Sequence, residues 1–376
     1  MRILALNSYH GGSHKAFIDS WINHSEHDWT LLTLPAHHWK WRMRHAAITF
    51  NEKLATITEQ NWDIIVCTDM LNITEFNGLA NTFIQQLPKV IYFHENQLLY
   101  PDNHSSERDY HYAFTNFIST LCANEVWFNS DWHKNTFTDA LKQWISKMPD
   151  YPQTKAIASF IEKSKTHYPG IEKDCYEYRP QTEHNKKITL LWAARWENDK
   201  NPECFFNAID LLIEKGINFK LNILGSSSVK IPLLFKQQKQ KLDTYIENWG
   251  YIENRNEYLE ILKKSDIIVS TATHEFFGIA VLEAVTLGCI PVIPEQLAYP
   301  ETLSAFHDKA FHCFYDGTPQ QLADSIELLA NKINDNEWLN RYRNKIAHAT
   351  EKYEWKKRSK DMDNDLSRIV TNHCPQ

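Results

Sequence analysis

Short aliphatic or β-branched runs alternate with longer amphipathic stretches along this chain, and that alternation is the grammar of βαβ units around a parallel sheet. Runs at 2–6, 30–34, 63–67, 89–93 and 125–129 each lead into a stretch of helical period. Residues 149–184, rich in Lys, Glu, Pro and Tyr, then carry no long period, and the alternation restarts at 188–194, 219–224, 266–270 and 290–293. A chain of 376 residues exceeds what one core usually serves. The pattern predicts an α/β protein of two Rossmann-like, doubly wound parallel-sheet domains, 1–180 and 181–376. The second domain is expected to end in helices over 335–370, anchored by Trp338, Tyr342, Ile346 and Trp355. Ligands bind such sheets beyond the carboxyl ends of the strands, so two facing domains predict a central cleft.

Composition narrows the chemistry. A net charge of −7 excludes a generally basic nucleic-acid-binding surface and leaves room only for a local patch. Seven cysteines without a CxxC pair argue against a disulfide framework or a Cys-based zinc site and fit a reducing cytoplasm. The first apolar run, 3–6, is too short for a signal peptide, and no later run approaches a membrane span.

The densest chemical signal follows the run at 266–270. There, His274-Glu275-Phe276-Phe277-Gly278-Ile279 leads to Glu283 and on to Gly288-Cys289-Ile290-Pro291-Val292-Ile293-Pro294. Two glutamates eight residues apart are ordinary on an amphipathic helix, but here they flank a strand-loop-helix junction. The N–H groups of Phe277, Gly278 and Ile279 at a helix start could cradle a diphosphate, and Glu283 could accept from ribose hydroxyls. The run at 188–194 delivers Arg195 and Lys200, two cations where a phosphate clamp would sit. These pieces, over about 185–310, resemble the second domain of retaining GT-B glycosyltransferases of the large family four. That resemblance implies that Arg195 and Lys200 hold a nucleotide-sugar diphosphate, that Glu275 faces the donor sugar, and that Glu283 holds the ribose.

In the first half, Gly11-Gly12 turns the first strand into a helix, and Gly12 would let that loop approach phosphates. His94, Glu95, Asn96 and Gln97 crowd hydrogen-bonding groups into the loop after 89–93. Between Trp29 and Asn51 lie Lys40, Arg42 and Arg44 with no acid, beside His37, His38 and aromatic rings, a combination that suits RNA phosphates and unstacked bases. Trp39, Met43, Ala46, Ala47 and Phe50 share the inward helical face. A solvated helix face with a buried Trp would produce the same pattern.

The strings LNSYHGGSHKAF, LPAHHWKWRMRHAA, DMLNITEF, YFHENQLLYP and NEVWFNSDWHKNTF, over about 4–137, resemble the N-terminal domain of the tRNA-queuosine alpha-mannosyltransferases. The resemblance implies a GT-B enzyme that moves mannose from GDP-mannose to the cyclopentene diol of queuosine at the wobble position of a tRNA. It implies an acceptor domain at 1–180, a donor domain at 181–376, and His94 near the anomeric centre. The island of His37, His38, Lys40, Arg42 and Arg44, with Glu95, Asn96 and Gln97, is then assigned to the acceptor. No metal or other cofactor is expected, because Asp361-Met362-Asp363 and Asp363-Asn364-Asp365 fall in the terminal helical stretch and read as helix surface. Three rivals remain: a family-four transferase acting on a lipid or polysaccharide, a non-catalytic tRNA-binding protein on a GT-B scaffold, and a sugar-nucleotide epimerase or phosphorylase on the same architecture.

Overall fold

The computed structural model describes residues 1–101, 109–176, 187–227 and 231–373. The expected boundary near 180 and Cys374 lie outside these residues. The first sheet comprises β1 (Arg2–His10), β2 (Asp28–Pro35), β3 (Ile64–Thr68), β4 (Lys89–Phe93), β5 (Glu125–Phe128) and β6 (Ser164–Thr166). Its order is β2-β1-β3-β4-β5-β6, and every pairing is parallel. The second comprises β7 (Ile188–Ala193), β8 (Phe219–Leu224), β9 (Ile246–Gly250), β10 (Ile267–Val269), β11 (Ile290–Pro294) and β12 (Phe314–Tyr315). Its order is β12-β11-β10-β7-β8-β9, again all parallel.

Both faces of the first sheet are covered, which is why its strands read as continuous apolar runs. Ile3, Ala5, Ile64, Val66, Val90 and Tyr92 pack with Phe17, Ile18 and Trp21 of the helix Gly12–His24. On the other face, Leu4, Leu6, Ile65, Cys67, Ile91 and Phe93 meet Ala46, Ala47 and Phe50 of the helix Trp39–Ala55. Three strands have no counterpart in the sequence pattern: β6, β9 and β12. All three are edge strands of two to five residues, too short or too polar for a period to register.

The chain divides into two compact units, Met1–Gly170 with the segment from Trp355 onward, and Ile171–Glu354. The last helix therefore belongs with the first sheet, and the expectation of one domain over 181–376 is corrected. Trp355, Met362, Leu366 and Ile369 of the helix Trp355–His373 join the Phe17–Trp21 cluster. Polar contacts fix the register. Asp363 accepts from Trp21 Nε1 at 2.9 Å and from Ser25 Oγ at 2.8 Å. Asp365 lies 3.0 Å from both Lys165 Nζ and His167 Nε2. Asp363 and Asp365, expected on the helix surface, are thus docking residues.

In each sheet the chain reverses its direction of strand addition once, between β1 and β3 and between β7 and β10. Such switch points are where doubly wound sheets open a ligand crevice.

Candidate functional site

The loops after β7 and β10 flank the switch point of the second sheet and are stitched to each other. Asn201, at φ +46°, caps the helix Pro202–Glu214 by accepting from the Cys204 N–H, and this turn directs Asp199 and Lys200 inward. The N–H of Thr273 donates to the Asp199 carbonyl at 2.9 Å, and Thr271 Oγ1 donates to the Lys200 carbonyl at 2.7 Å. Lys200 Nζ donates to the His274 carbonyl at 2.8 Å and to Glu275 Oε2 at 3.2 Å, and stands 3.1 Å from Asp199 Oδ2. Burial opposes the Lys200 charge, but Glu275 and Asp199 outweigh it and raise its pKa. Burial likewise opposes the Glu275 charge, yet Lys200 and the Phe277 N–H hold that carboxyl below its usual range. Burial and the neighbouring Lys200 push the His274 imidazole down to about 4, so it is neutral. Arg195 is 52% exposed, 2.8 Å from Glu197 and 3.6 Å from Asp199.

The helix Ile279–Thr286 begins where the sequence places it, but its first donors are engaged. Glu275 Oε1 accepts from the N–H groups of Gly278 at 3.2 Å and Phe277 at 3.5 Å. A carboxylate of the chain itself therefore sits on the expected diphosphate cradle, as the dipole of a helix start favours. Gly278 has φ +87°, and a Cβ there would stand 2.7 Å from the Tyr299 ring, so this junction admits only glycine. Glu283, expected free for a ribose, accepts from Arg255 Nη2 at 2.7 Å and Tyr258 Oη at 3.4 Å. Burial raises its pKa above the usual range in spite of the guanidinium.

The corresponding loops of the first sheet hold rings and amides. Gly12, at φ +51°, has no atom within 4 Å of where a Cβ would stand, so its conformation and not packing selects glycine. His94 is tilted against His14 at 4.2 Å between ring centroids, edge-on to Phe17 at 4.9 Å and 4.8 Å from Tyr92. Its Nε2 is buried without a hydrogen-bond partner among the described residues. Burial, with His14 and His133 nearby, holds its pKa well below the ordinary histidine value. Its N–H donates to Asp69 Oδ1 at 3.0 Å, and its carbonyl accepts from Asn129 Nδ2 at 2.9 Å. Burial and the nearby Glu95 raise the Asp69 carboxyl well above its usual range.

Asn96 faces inward, which corrects its assignment to the acceptor. Its Nδ2 donates to His133 Nε2 at 2.9 Å, and its Oδ1 accepts from Leu98 and Leu99 N–H groups at 3.1 and 2.8 Å. His133 Nδ1 then donates to Asn129 Oδ1 at 2.7 Å. Gln97 is buried as well, its N–H donating to Asn116 Oδ1 at 2.8 Å and its Nε2 to Glu95 Oε1 at 3.2 Å.

The basic helix is sorted by the structure. His37, His38, Lys40 and Arg44 are exposed, with Lys40 Nζ 5.5 Å from the Trp39 ring and the Arg44 guanidinium 4.9 Å from the Tyr112 ring. Trp41 stands 61% exposed beside His45. Arg42 is a correction. It is buried, donating from Nε to the Pro35 carbonyl at 2.9 Å, from Nη2 to His37 Nε2 at 3.0 Å and from Nη1 to His45 Nε2 at 2.7 Å. Met43, Ala46, Ala47 and Phe50 are buried as expected, while Trp39 is half-buried.

Sequence reasoning missed Asp69, His14, Asn129 and His133 in the first unit and Asp199, Arg255 and Tyr258 in the second. Asp69, Asn129 and Asp199 each follow a strand end, and that position was the available signal. Arg255 and Tyr258 gave none, because they reach Glu283 from a different helix, Arg255–Lys263.

A family model described as the tRNA-queuosine alpha-mannosyltransferase N-terminal region matches residues 2–171, and one described as glycosyl transferases group 1 matches residues 176–348. The tRNA-queuosine alpha-mannosyltransferase of Drosophila melanogaster is 36% identical over 309 residues, covering 80% of this chain and 81% of its own. A GDP-mannose-dependent alpha-(1-6)-phosphatidylinositol dimannoside mannosyltransferase of Mycobacterium tuberculosis is 23% identical over 168 residues, 45% of this chain and 42% of the relative. Among solved structures, sucrose-phosphate synthase from Thermosynechococcus elongatus superposes with a TM-score of 0.71 at 12% identity, covering 100% of each chain. The two doubly wound sheets are those of the GT-B fold. Among the described residues, no helix is long and apolar enough to cross a membrane.

Proposed function

Because the chain belongs to the tRNA-queuosine alpha-mannosyltransferase family, we propose that it transfers mannose from GDP-mannose, with retention, to the cyclopentene diol of queuosine at the wobble position of a tRNA. The observation that carries the donor half is the Lys200–Glu275 pair at the start of the helix Ile279–Thr286, within the segment matched by the glycosyltransferase model. GDP-mannose as donor is further supported by the GDP-mannose dependence of the mycobacterial relative.

In this reading Arg195 and Lys200 meet the diphosphate as the bond from the anomeric carbon to phosphate oxygen breaks, and no metal takes part. The positive charge left on the sugar is met on the same face by an acceptor hydroxyl, whose proton passes to the departing diphosphate oxygen. Rate then comes from positioning and from charges aimed where charge develops. Glu275 orients a sugar hydroxyl through the acceptor site of Oε2 that Lys200 leaves open, Ile279 offers a further helix-start N–H, and Glu283 receives the ribose. Gly12 and His94 belong to the transfer step. Lys40, Arg44, His37 and His38 engage the tRNA in the cytosol, with Trp41 exposed among them, and Glu95 remains with the acceptor.

The test is mass spectrometry of tRNA nucleosides after incubation with GDP-mannose. A hexose mass added to queuosine is expected, insensitive to EDTA, and a transcript lacking queuosine should accept no sugar. Equal labelling of that transcript, or preference for a lipid acceptor, would reject the queuosine reading.

A further inference from the structure

Glu283 projects from the helix Ile279–Thr286 with little of its side chain in solvent, and an isolated carboxylate so placed takes up a proton rather than remain charged. Its partners come from another element. Asn254 caps the helix Arg255–Lys263 by accepting from the N–H groups of Asn256 and Glu257, which fixes the backbone that carries Arg255 and Tyr258. Arg255 Nη2 donates to Glu283 Oε1 at 2.7 Å and lies 3.3 Å from Cys175 Sγ. The guanidinium is held from its other edge by Asp174, 3.6 Å from Nε. Tyr258 Oη donates to Glu283 Oε2 at 3.4 Å.

We infer that Arg255 is a positioning residue for the nucleotide, keeping Glu283 ionised and turned so that one acceptor site on each carboxylate oxygen stays open to the vicinal hydroxyls of a ribose. The inference rests on the proposed role of Glu283 as the ribose contact. The stoichiometry is elementary: a carboxylate offers about four acceptor sites, Arg255 takes one on Oε1, and Tyr258 takes one on Oε2. A neutral carboxyl in the same place would offer fewer and would itself donate, opposing the two hydroxyl donors. The titratable groups facing the pair are Asp174 and Cys175 from the turn Lys173–Tyr176 and Tyr258 from the helix of Arg255. Burial and the nearby Glu283 push both the Cys175 thiol and the Tyr258 phenol up, so they stay neutral, while Asp174 repels a charge on Glu283. Arg255 is the counterweight.

The experiment compares affinity for GDP and for 2′,3′-dideoxy-GDP by calorimetry, using the full chain. Wild type should prefer GDP by about 10–100-fold, as expected for two hydrogen bonds to a charged acceptor. Glu283→Gln should lose most of that preference at every pH. Arg255→Gln should prefer GDP by less than about threefold at pH 7 and regain preference as pH rises and Glu283 ionises, whereas Arg255→Lys should keep part of it at pH 7. A purely structural role would lower both affinities together and leave their ratio flat with pH. An Arg255→Gln protein that melts like wild type and keeps the full preference overturns the inference. A wild type or Glu283→Gln protein that contradicts the first two expectations overturns the ribose assignment and the inference with it, while the tRNA nucleoside assay still judges the transfer reaction separately.

Discussion

Beyond β7 and β10 the polar side chains are charged and already paired, Lys200 between Asp199 and Glu275, and Glu283 on Arg255. Beyond β1, β3 and β4 they are mostly rings and amides, His94 against His14 and Asn96 on His133, with the Asp69 carboxyl raised by burial. Both clusters flank the switch point of an all-parallel sheet, although the strand orders differ (β2-β1-β3-β4-β5-β6 against β9-β8-β7-β10-β11-β12), and what sets the clusters apart chemically is their side chains. A prepaired charge cluster suits a ligand that brings its own charge, because its cations are held in place before binding and need little reorganisation. A cluster of rings and amides with a carboxylate and no cation among these residues gives a phosphate nothing to pair with, but it offers hydroxyl groups donors and acceptors at low desolvation cost.

The contrast breaks first at Lys200. Lys200→Ala should lower the transfer rate by roughly a thousandfold, the scale of losing one preorganised charge at a reacting centre. It should also destabilise the protein by about 3–5 kcal/mol, because Asp199 and Glu275 are left buried without their cation. Arg195→Ala should slow transfer with little change in melting temperature, since Arg195 is half in solvent. Paired kinetic and melting measurements check this, and equal stability losses for the two variants would mean that the charge cluster is not organised around Lys200.

In the cluster of rings and amides, His94→Ala should cut transfer by about a hundredfold, the scale of a positioned imidazole, while GDP affinity stays within about twofold. Joint loss of GDP binding and of folding would reduce His94 to packing.

Histidine protonation sharpens the comparison under acid. His274 has its pKa pushed down to about 4 in the folded chain, against about 6.5 unfolded. Between those values the unfolded chain binds a proton that the folded chain refuses, so this contribution to stability is intact above pH 6.5 and is lost as pH falls toward 4. At about 1.4 kcal/mol per pH unit the loss reaches on the order of 3 kcal/mol. Denaturant titrations of wild type and His274→Asn at pH 7 and pH 4 should show the wild type losing that much relative to the variant. Parallel curves would place His274 in water.

Strand ends were legible where strands were long and apolar. Nine of the twelve strands announce themselves as runs, and with them the loops that carry Gly12, His94, Arg195, Lys200 and Glu275. The destination of the last helix was not legible, because an amphipathic stripe of Trp355, Met362, Leu366 and Ile369 states that a face is buried but not against which sheet. The same limit applies to the site. Residue types named the cations and carboxylates, but their pairing depends on approaches between elements distant in sequence, as with Arg255 and Glu283. Arg42 shows it within one helix: its spacing puts it in a basic island, and only the fold reveals that Pro35, His37 and His45 consume its donors.

That sorting of the basic helix yields the smallest effect and the cleanest separation. Lys40 and Arg44 stand exposed one turn apart, whereas Arg42 between them is buried. Each phosphate neutralised by an exposed cation releases condensed counterions, so replacing both Lys40 and Arg44 by Gln should flatten the salt dependence of tRNA binding by about 1.4–1.8 in log–log slope. The apparent Michaelis constant for tRNA should rise about three- to tenfold at moderate salt, with that for GDP-mannose unchanged. Arg42→Gln should do the opposite, destabilising the fold by about 1.5–3 kcal/mol through its lost charge-assisted hydrogen bonds while leaving the salt slope alone. Binding titrations at several salt concentrations with the three proteins read both quantities. If Arg42→Gln flattens the slope as much as the double variant does, the buried guanidinium reaches RNA after all, and the division of this helix into a structural and a binding face fails.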